Sequence, residues 1–347
     1  MSPDRDAAPR ARVRLGSSGL SVRPVGLGLM GMSQFYGAAE PAESIATIRE
    51  AIELGVDFLD TSDYYGASSA TPGAPVAGFG HNETLLGRAL RGRRDRVVLA
   101  TKFSARPTAG GTSVFDGSPA YVKRACEASL RRLGTDWIDV YYYHRLDANV
   151  PIEHTVDAMA ELVADGKVRA LGLSEVGPEI LRRAAAVHPI ACLQSEYSLW
   201  ERGVEAAVLP ECHRLGITLV PYSPLGRGML TGAFRRGASF APDDFRSTLP
   251  KFQGENFAEN LRLVEALAAF SASRGHSPGQ VALAWLLAQP YDIVPIPGSK
   301  RIAYVRENLA ATTTPLSIDD VACLAELFDP VRVRGGRYGR PPEPAPR

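Results

Sequence analysis

Leu59-Asp60-Thr61-Ser62-Asp63-Tyr64-Tyr65-Gly66 decides how the rest of this chain is read. It ends a short apolar run, Gly55-Val56-Asp57-Phe58-Leu59, with an acid, hydroxyls and two phenols. An apolar strand whose C-terminal tip turns polar is how parallel α/β folds present their chemistry. A phenol titrates at about pH 10, so a tyrosine here is a useful acid at neutral pH only beside a cation that lowers its pKa. The chain must therefore supply a lysine.

Working outward, strand-like and helix-like segments alternate. Apolar runs at 25–29, 56–59, 97–100, 137–143, 170–173, 191–194, 217–221 and 293–296 read as eight strands. Between them, 41–54, 83–90, 119–133, 153–165, 178–186 and 204–215 carry helical periodicity, with 256–273 and 278–287 before the eighth strand. Several of these helices open on Pro or an acidic residue, as helix N-termini do. Short connections between alternating units imply a parallel sheet. Eight units predict an α/β chain folded as a single (β/α)8 TIM barrel. Val13-Arg14-Leu15 and Leu20-Ser21-Val22, around a Gly/Ser turn, predict an N-terminal β-hairpin. The expected organisation is a disordered 1–12, the barrel over 13–329, and a mobile Pro/Arg-rich tail over 330–347. Loops at 67–80 and 226–255 belong to the C-terminal face, as lids or substrate walls.

The bulk numbers exclude several classes. The 347 residues are 45% hydrophobic and 22% charged, which is a globular composition with ample core. A net charge of +1 points to no nucleic-acid or other polyanion partner. No run of 18 apolar residues and no leader-like start imply neither membrane span nor secretion, and hence a cytoplasmic protein. Cys126, Cys192, Cys212 and Cys323 lack CxxC spacing and read as reduced thiols, and the six histidines show no metal-ligand spacing.

Two further strand tips supply the missing groups. Leu99-Ala100-Thr101-Lys102-Phe103 puts a lysine past the third strand, and Tyr141-Tyr142-Tyr143-His144-Arg145 puts a histidine past the fourth. Each alone is more often a solvated strand end or a satisfied core residue. Together, Asp60, Tyr65, Lys102 and His144 converge in a barrel as a coherent acid–base set. Lys102 would lower the Tyr65 pKa, Asp60 would hold the lysine charged, and His144 would orient a carbonyl.

Here the sequence resembles the aldo-keto reductase superfamily, over roughly residues 13 to 329. Asp60-Thr61 to Tyr65-Gly66 with Asn82-Glu83 and Leu86-Gly87 is similar to one family signature. Leu130-Arg131-Arg132-Leu133-Gly134-Thr135-Asp136, followed by Asp139, Tyr142 and His144, is similar to a second. Pro295-Ile296-Pro297-Gly298 through Glu307-Asn308-Leu309 is similar to a third. The style is that of the bacterial and plant branch with pyridoxal reductase-like and auxin-induced-type members.

The resemblance implies reduction of a small-molecule aldehyde or ketone with NADPH, NADH being less favoured, and Tyr65 as proton donor. It places Ser174, Glu175 and Gln194 at the carboxamide and Tyr222 against the nicotinamide ring. Ser223, Leu225, Gly226 and Arg227 would follow the pyrophosphate, with Gly28 and Met30 close to the cofactor. Gly298, Ser299, Lys300, Arg301, Tyr304, Glu307 and Asn308 would cup the adenosine end, Lys300-Arg301 facing a 2′-phosphate. Tyr64, Arg145, Trp200 and Arg246 would line the substrate pocket. Glu175 stands where many relatives carry Asn, and Tyr304 where other branches carry Arg. The 67–80 insert is longer than usual, which leaves the substrate open; monomer or homo-oligomer is open as well.

Gly26-Leu27-Gly28-Leu29-Met30-Gly31 spells GxGxxG, but no helix starts inside it, so it is not read as a dinucleotide turn. The competing reading is a cofactor-binding redox sensor similar to the potassium-channel β-subunits. Those relatives carry Asn at the position of His144, which disfavours it.

Overall fold

The structure is a computed structural model, described for residues 11–37, 39–67, 76–108 and 113–338. Residues 1–10 of the segment expected to be disordered, and most of the 67–80 loop, lie outside the described residues. Counting barrel strands only, they are β1 (Leu27–Gly28), β2 (Phe58–Asp60), β3 (Val98–Phe103), β4 (Ile138–Tyr143), β5 (Val168–Ser174), β6 (Ile190–Glu196) and β7 (Thr218–Tyr222). They pair in parallel and in chain order, with Leu27 beside Leu59, Leu59 beside Leu99, Tyr141 beside Leu171 and Leu193 beside Leu219. Every residue of β4 and β6 is buried, as strands covered on both faces must be.

The eighth strand is a partial one. Ile293 bridges Leu219, the Val294 and Ile296 amides donate to Leu219 and Pro221 at 3.0 Å, and Gly298 bridges Gly28. On the other side the Gly26 and Gly28 amides donate to Pro295 and Pro297 carbonyls at 3.0 and 3.3 Å. Pro295 and Pro297 have no N–H to give back, so the barrel closes without a full ladder.

Helices α1 (Pro41–Glu53), α2 (His81–Ala89), α3 (Pro119–Leu133), α4 (Ile152–Ala164), α5 (Pro178–Val187) and α6 (Val208–Leu215) follow successive strands. Next come α7 (Gly254–Ala272), α8 (Pro278–Leu287), α9 (Ile302–Ala310) and α10 (Ile318–Leu327). Helix α6 starts four residues later than the periodicity predicts. Helix α10 is absent from the sequence reading, although Ser317 and Asp320 form the capping box that announces it.

Two apolar layers result. One lies between strands and helices and includes Leu59, Leu99, Tyr141 and Leu193. The other fills the barrel with Phe58, Val140, Tyr142 and Val220, and includes Val13, Leu15, Leu20 and Val22. The N-terminal hairpin, Val13–Arg14 paired with Ser21–Val22, therefore plugs one end of the barrel. Thr218, at the start of β7, fastens it by donating to the Arg14 carbonyl at 2.7 Å and accepting from the Gly16 amide at 3.0 Å. Chemistry is left to the opposite, C-terminal end.

The described part of the chain end, expected as a mobile tail, makes specific contacts with the barrel. Residues 331–338 return to the barrel mouth, where Arg337 meets Glu175 and Glu196; a half-buried arginine held by two carboxylates is an anchor. The four cysteines are free, three of them buried. No helix among the described residues is long and apolar enough to cross a membrane.

Candidate active site

Three strand tips bring Asp60, Lys102 and His144 together, and the turn after β2 adds Tyr65. The Lys102 ammonium is fully buried and donates to Asp60 Oδ1 at 2.5 Å, to the Thr61 carbonyl at 2.7 Å and to the Tyr65 hydroxyl at 3.0 Å. An ammonium has three N–H donors, and all three are used. Asp60 also accepts from the Gln194 side-chain amide at 2.8 Å, so both its oxygens are satisfied. A buried charge pair is tolerable on these terms.

Local backbone chemistry aims the tyrosine. Gly66 has φ of +109°, and a Cβ there would lie 2.5 Å from the Gly78 carbonyl. Only glycine closes this turn, and its amide donates to Gln34 Oε1 at 2.7 Å. Asn82 ties the same region together, accepting from Thr61 Oγ1 at 2.6 Å and donating to the Leu29 carbonyl at 2.9 Å. Glu83 accepts from Thr101 Oγ1 and from Arg132 Nε, each at 2.6 Å. These motif residues build the scaffold.

Lys102 pulls the Tyr65 pKa down, as expected, but it does not set the net direction. Burial pushes the phenol above its ordinary value and outweighs the opposing pull of Lys102, while the Asp60 carboxylate adds to the rise. Burial also moves the Lys102 ammonium in the opposite sense to its partners, yet Asp60 and Tyr65 win and hold it above its ordinary value. His144 lies edge-on to Tyr65, ring centroids 5.9 Å apart, with Nδ1 3.3 Å from Ser62 Oγ. Burial, then the Arg145 and Lys102 charges, hold this imidazole well below its ordinary value, so it is neutral at neutral pH.

Asp60, Tyr65 and His144 open onto a cavity of about 1830 Å³. Its wall includes Gly28, Met30, Ser174, Glu175, Gln194 and Tyr222, then Ser223, Leu225, Arg227, Gly298, Ser299 and Lys300. Arg301, Tyr304, Glu307 and Asn308 follow at one end, and Tyr64, Arg145 and Arg246 also reach it. Glu175, Ser223 and Arg227 have φ of +57°, +50° and +57°, left-handed conformations of the kind that collect at functional sites. Arg145 donates to Ser174 Oγ at 3.0 Å.

Two of the expected residues, Trp200 and Gly226, lie off the wall, and two others, Arg227 and Lys300, are engaged by groups of the protein itself. Trp200 does not line the cavity: it is buried, capped by the Lys251 ammonium 5.3 Å from its ring, which comes from a distant loop. Gly226 is behind the wall, where a Cβ would lie 2.7 Å from the Trp200 indole nitrogen. Arg227 is on the wall, but its charge is spent on Glu196 at 3.0 Å with its side chain 6% exposed. Lys300 donates to the Tyr36 and Gly37 carbonyls at 2.6 and 2.8 Å. Sequence reasoning missed Phe35, Tyr36, Phe115, Phe245, Arg337 and Tyr338, all on the cavity wall. An aromatic pair just past the glycine-rich turn was the available signal for the first two.

The sequence model of the Aldo/keto reductase family matches residues 24–329, nearly the whole barrel. This chain belongs to the aldo/keto reductase family. It is accordingly an NAD(P)H-dependent oxidoreductase. Solved structures similar to it include a glycerol dehydrogenase from Gluconobacter oxydans, 26% identical, covering 96% of this chain and 98% of that one at a TM-score of 0.81. An aldo/keto reductase from Klebsiella pneumoniae, crystallised with NADP and acetate, is 30% identical over 96% and 99% of the two chains at 0.71. A holo aldo-keto reductase from Bacillus halodurans is 27% identical over 95% and 98% at 0.76.

Proposed function

We propose that this aldo/keto reductase reduces aldehydes or ketones to alcohols with NADPH, using Tyr65 as the proton donor. The carrying observation is the Lys102 ammonium, whose three donors go to Asp60, Thr61 and the Tyr65 oxygen.

The residues fit a dinucleotide. The cavity exceeds the range of about 300–1,000 Å³ usual for one small ligand. At one end α9 begins without a side-chain cap, so its first amides and the exposed Arg301 favour phosphate. At the other end Ser174, Glu175, Gln194 and Tyr222 supply the amide-binding groups and the aromatic face that a nicotinamide needs. When bound, NADPH supplies the hydride taken up by the carbonyl carbon.

The chain supplies the proton and the charge. Because Lys102 donates to the Tyr65 oxygen, the phenol's own hydrogen is left for a carbonyl oxygen in the cavity. Burial keeps that hydrogen in place at neutral pH, and the lysine stabilises the phenolate left behind once it is given up. With Nδ1 at Ser62, His144 has Nε2 to meet the same oxygen as a neutral group. Tyr64, Ala105, Phe115 and Leu146 line the mouth beside these residues and favour a substrate with an apolar flank. We place the reaction in the cytoplasm, on the evidence of four free thiols.

The test is loss of NADPH absorbance with a panel of aldehydes, ketones and pyridoxal. Turnover with at least one apolar aldehyde is expected. Normal NADPH binding with no turnover on any carbonyl would count against the reading.

A further inference from the structure

The segment after α10 has no part in the chemistry above, yet it reaches the barrel mouth. Asn260 of α7 holds it by two bonds, its amide donating to the Arg334 carbonyl and its oxygen accepting from the Arg334 amide, both at 2.9 Å. Gly335, at φ of +87°, passes so near the Lys251 backbone that a Cβ would lie 2.9 Å from its nitrogen. Arg337 then enters between two carboxylates, at 2.8 Å from Glu175 Oε2 and 2.7 Å from Glu196 Oε2, and also donates to the Tyr222 hydroxyl. Tyr338 adds its own hydroxyl 3.1 Å from that of Tyr222.

The two carboxylates are not equally provided for. Glu196 has Arg227 as well. Among the described residues Glu175 has Arg337 as its one ion-pair partner. Glu175 sits next to Ser174 in a left-handed conformation, with its other oxygen accepting from the Glu196 amide at 3.0 Å. One guanidinium thus fixes both Glu175 and Tyr222.

We propose that Arg337 is a positioning residue for the nicotinamide cofactor, and that docking of the chain end and binding of NADPH are linked. This rests on Ser174, Glu175 and Tyr222 being the nicotinamide's neighbours. Linkage is reciprocal: what the docked segment contributes to cofactor affinity, the cofactor returns as protection of the segment. The groups facing Glu175 are Arg337 from the chain end, Arg145 after β4, Glu196 at the end of β6, and Tyr222 at the end of β7. With Arg337 in place Glu175 is held below the ordinary carboxylate range although burial opposes this. Without it, a buried carboxylate beside a second one takes up a proton more easily.

Full-length wild type, Arg337→Met and Arg337→Lys are compared for NADPH affinity by fluorescence titration between about pH 8 and pH 6. Arg337→Met is expected to bind NADPH roughly tenfold more weakly or worse, with the deficit growing toward pH 6. Arg337→Lys should recover part of the affinity and most of the flat pH dependence. In wild type, NADPH should slow tryptic cleavage after Arg334 and Arg337 several-fold, as followed by mass. Arg337→Met binding within twofold of wild type at every pH overturns the inference, as does cleavage that NADPH leaves unchanged. Wild type that binds no NADPH overturns the cofactor reading and this inference with it. Wild type that binds while the variant binds equally overturns the inference alone.

Discussion

Lys102 donates to the Tyr65 hydroxyl at 3.0 Å from a position with no solvent exposure. The lysine is a fixed electrostatic support, and the phenol is the only one of the two that reaches the cavity. Tyr65→Phe removes the transferable hydrogen and leaves the ring's packing intact. Carbonyl reduction should fall by at least about 10²-fold, while NADPH affinity stays within a few-fold. Steady-state turnover and a cofactor titration check this; a Phe variant with most of its activity means another acid is at work.

The pH profile carries a second expectation. In the proposed mechanism the competent forms are neutral His144 and protonated Tyr65. His144 lies well below its ordinary value of about 6.5, so it gains a proton only in more acid solution. Tyr65 lies above its ordinary value of about 10, so it loses its proton only in more alkaline solution. The kcat/KM for the carbonyl should therefore be flat from about pH 6.5 to about pH 9.5. An inflection near neutrality would assign the histidine or the phenol the wrong state.

Lys300 and Arg301 should separate in their effects. Lys300 holds the Tyr36–Gly37 turn by two carbonyls, whereas the Arg301 side chain makes no hydrogen bond or ion pair among the described residues. Arg301→Ala should weaken NADPH roughly 10- to 100-fold and spare NADH, the magnitude of a lost charge-assisted hydrogen bond. Lys300→Ala should weaken both cofactors, because it releases a wall they share. Isothermal titration with each cofactor decides; equal losses from Arg301→Ala would remove the 2′-phosphate assignment.

Gly66→Ala tests the turn that aims Tyr65. A side chain there meets the Gly78 carbonyl at 2.5 Å and the His81 Cβ at 2.9 Å, at a φ of +109°. The variant should lose about 1–3 kcal/mol of stability and a larger share of turnover than of NADPH binding. Thermal unfolding with parallel kinetics measures both; wild-type values for both would make the turn incidental.

What could be read in the sequence was what strand order alone dictates. Asp60, Lys102 and His144 follow three successive strands, and any barrel built from them makes those tips converge. Depth was not readable. That Tyr65 is buried enough to outweigh Lys102 depends on every element around it. Trp200 follows a strand tip as His144 does, yet it is buried, with Lys251, 51 residues further on, bound to its carbonyl, and it does not line the cavity. The chain end was read as mobile from its Gly/Pro/Arg composition, because nothing local marks Glu175 and Glu196 as partners waiting for Arg337. Such pairings belong to the tertiary structure.

The proline-interrupted eighth strand has a kinetic consequence. Between β1 and Pro295-Ile296-Pro297 the ladder runs mainly through the Gly26 and Gly28 amides, so this junction is the natural place for the barrel to breathe. The wall proposed to receive the adenosine end, from Gly298 to Asn308, follows directly from it. A ligand seated there spans the junction from both sides. Deuterium uptake at Gly26 and Gly28 should therefore outpace that at Leu193 and Leu219 in the free protein and slow most when cofactor is added. The first strand of the barrel would then report on a molecule gripped by the last.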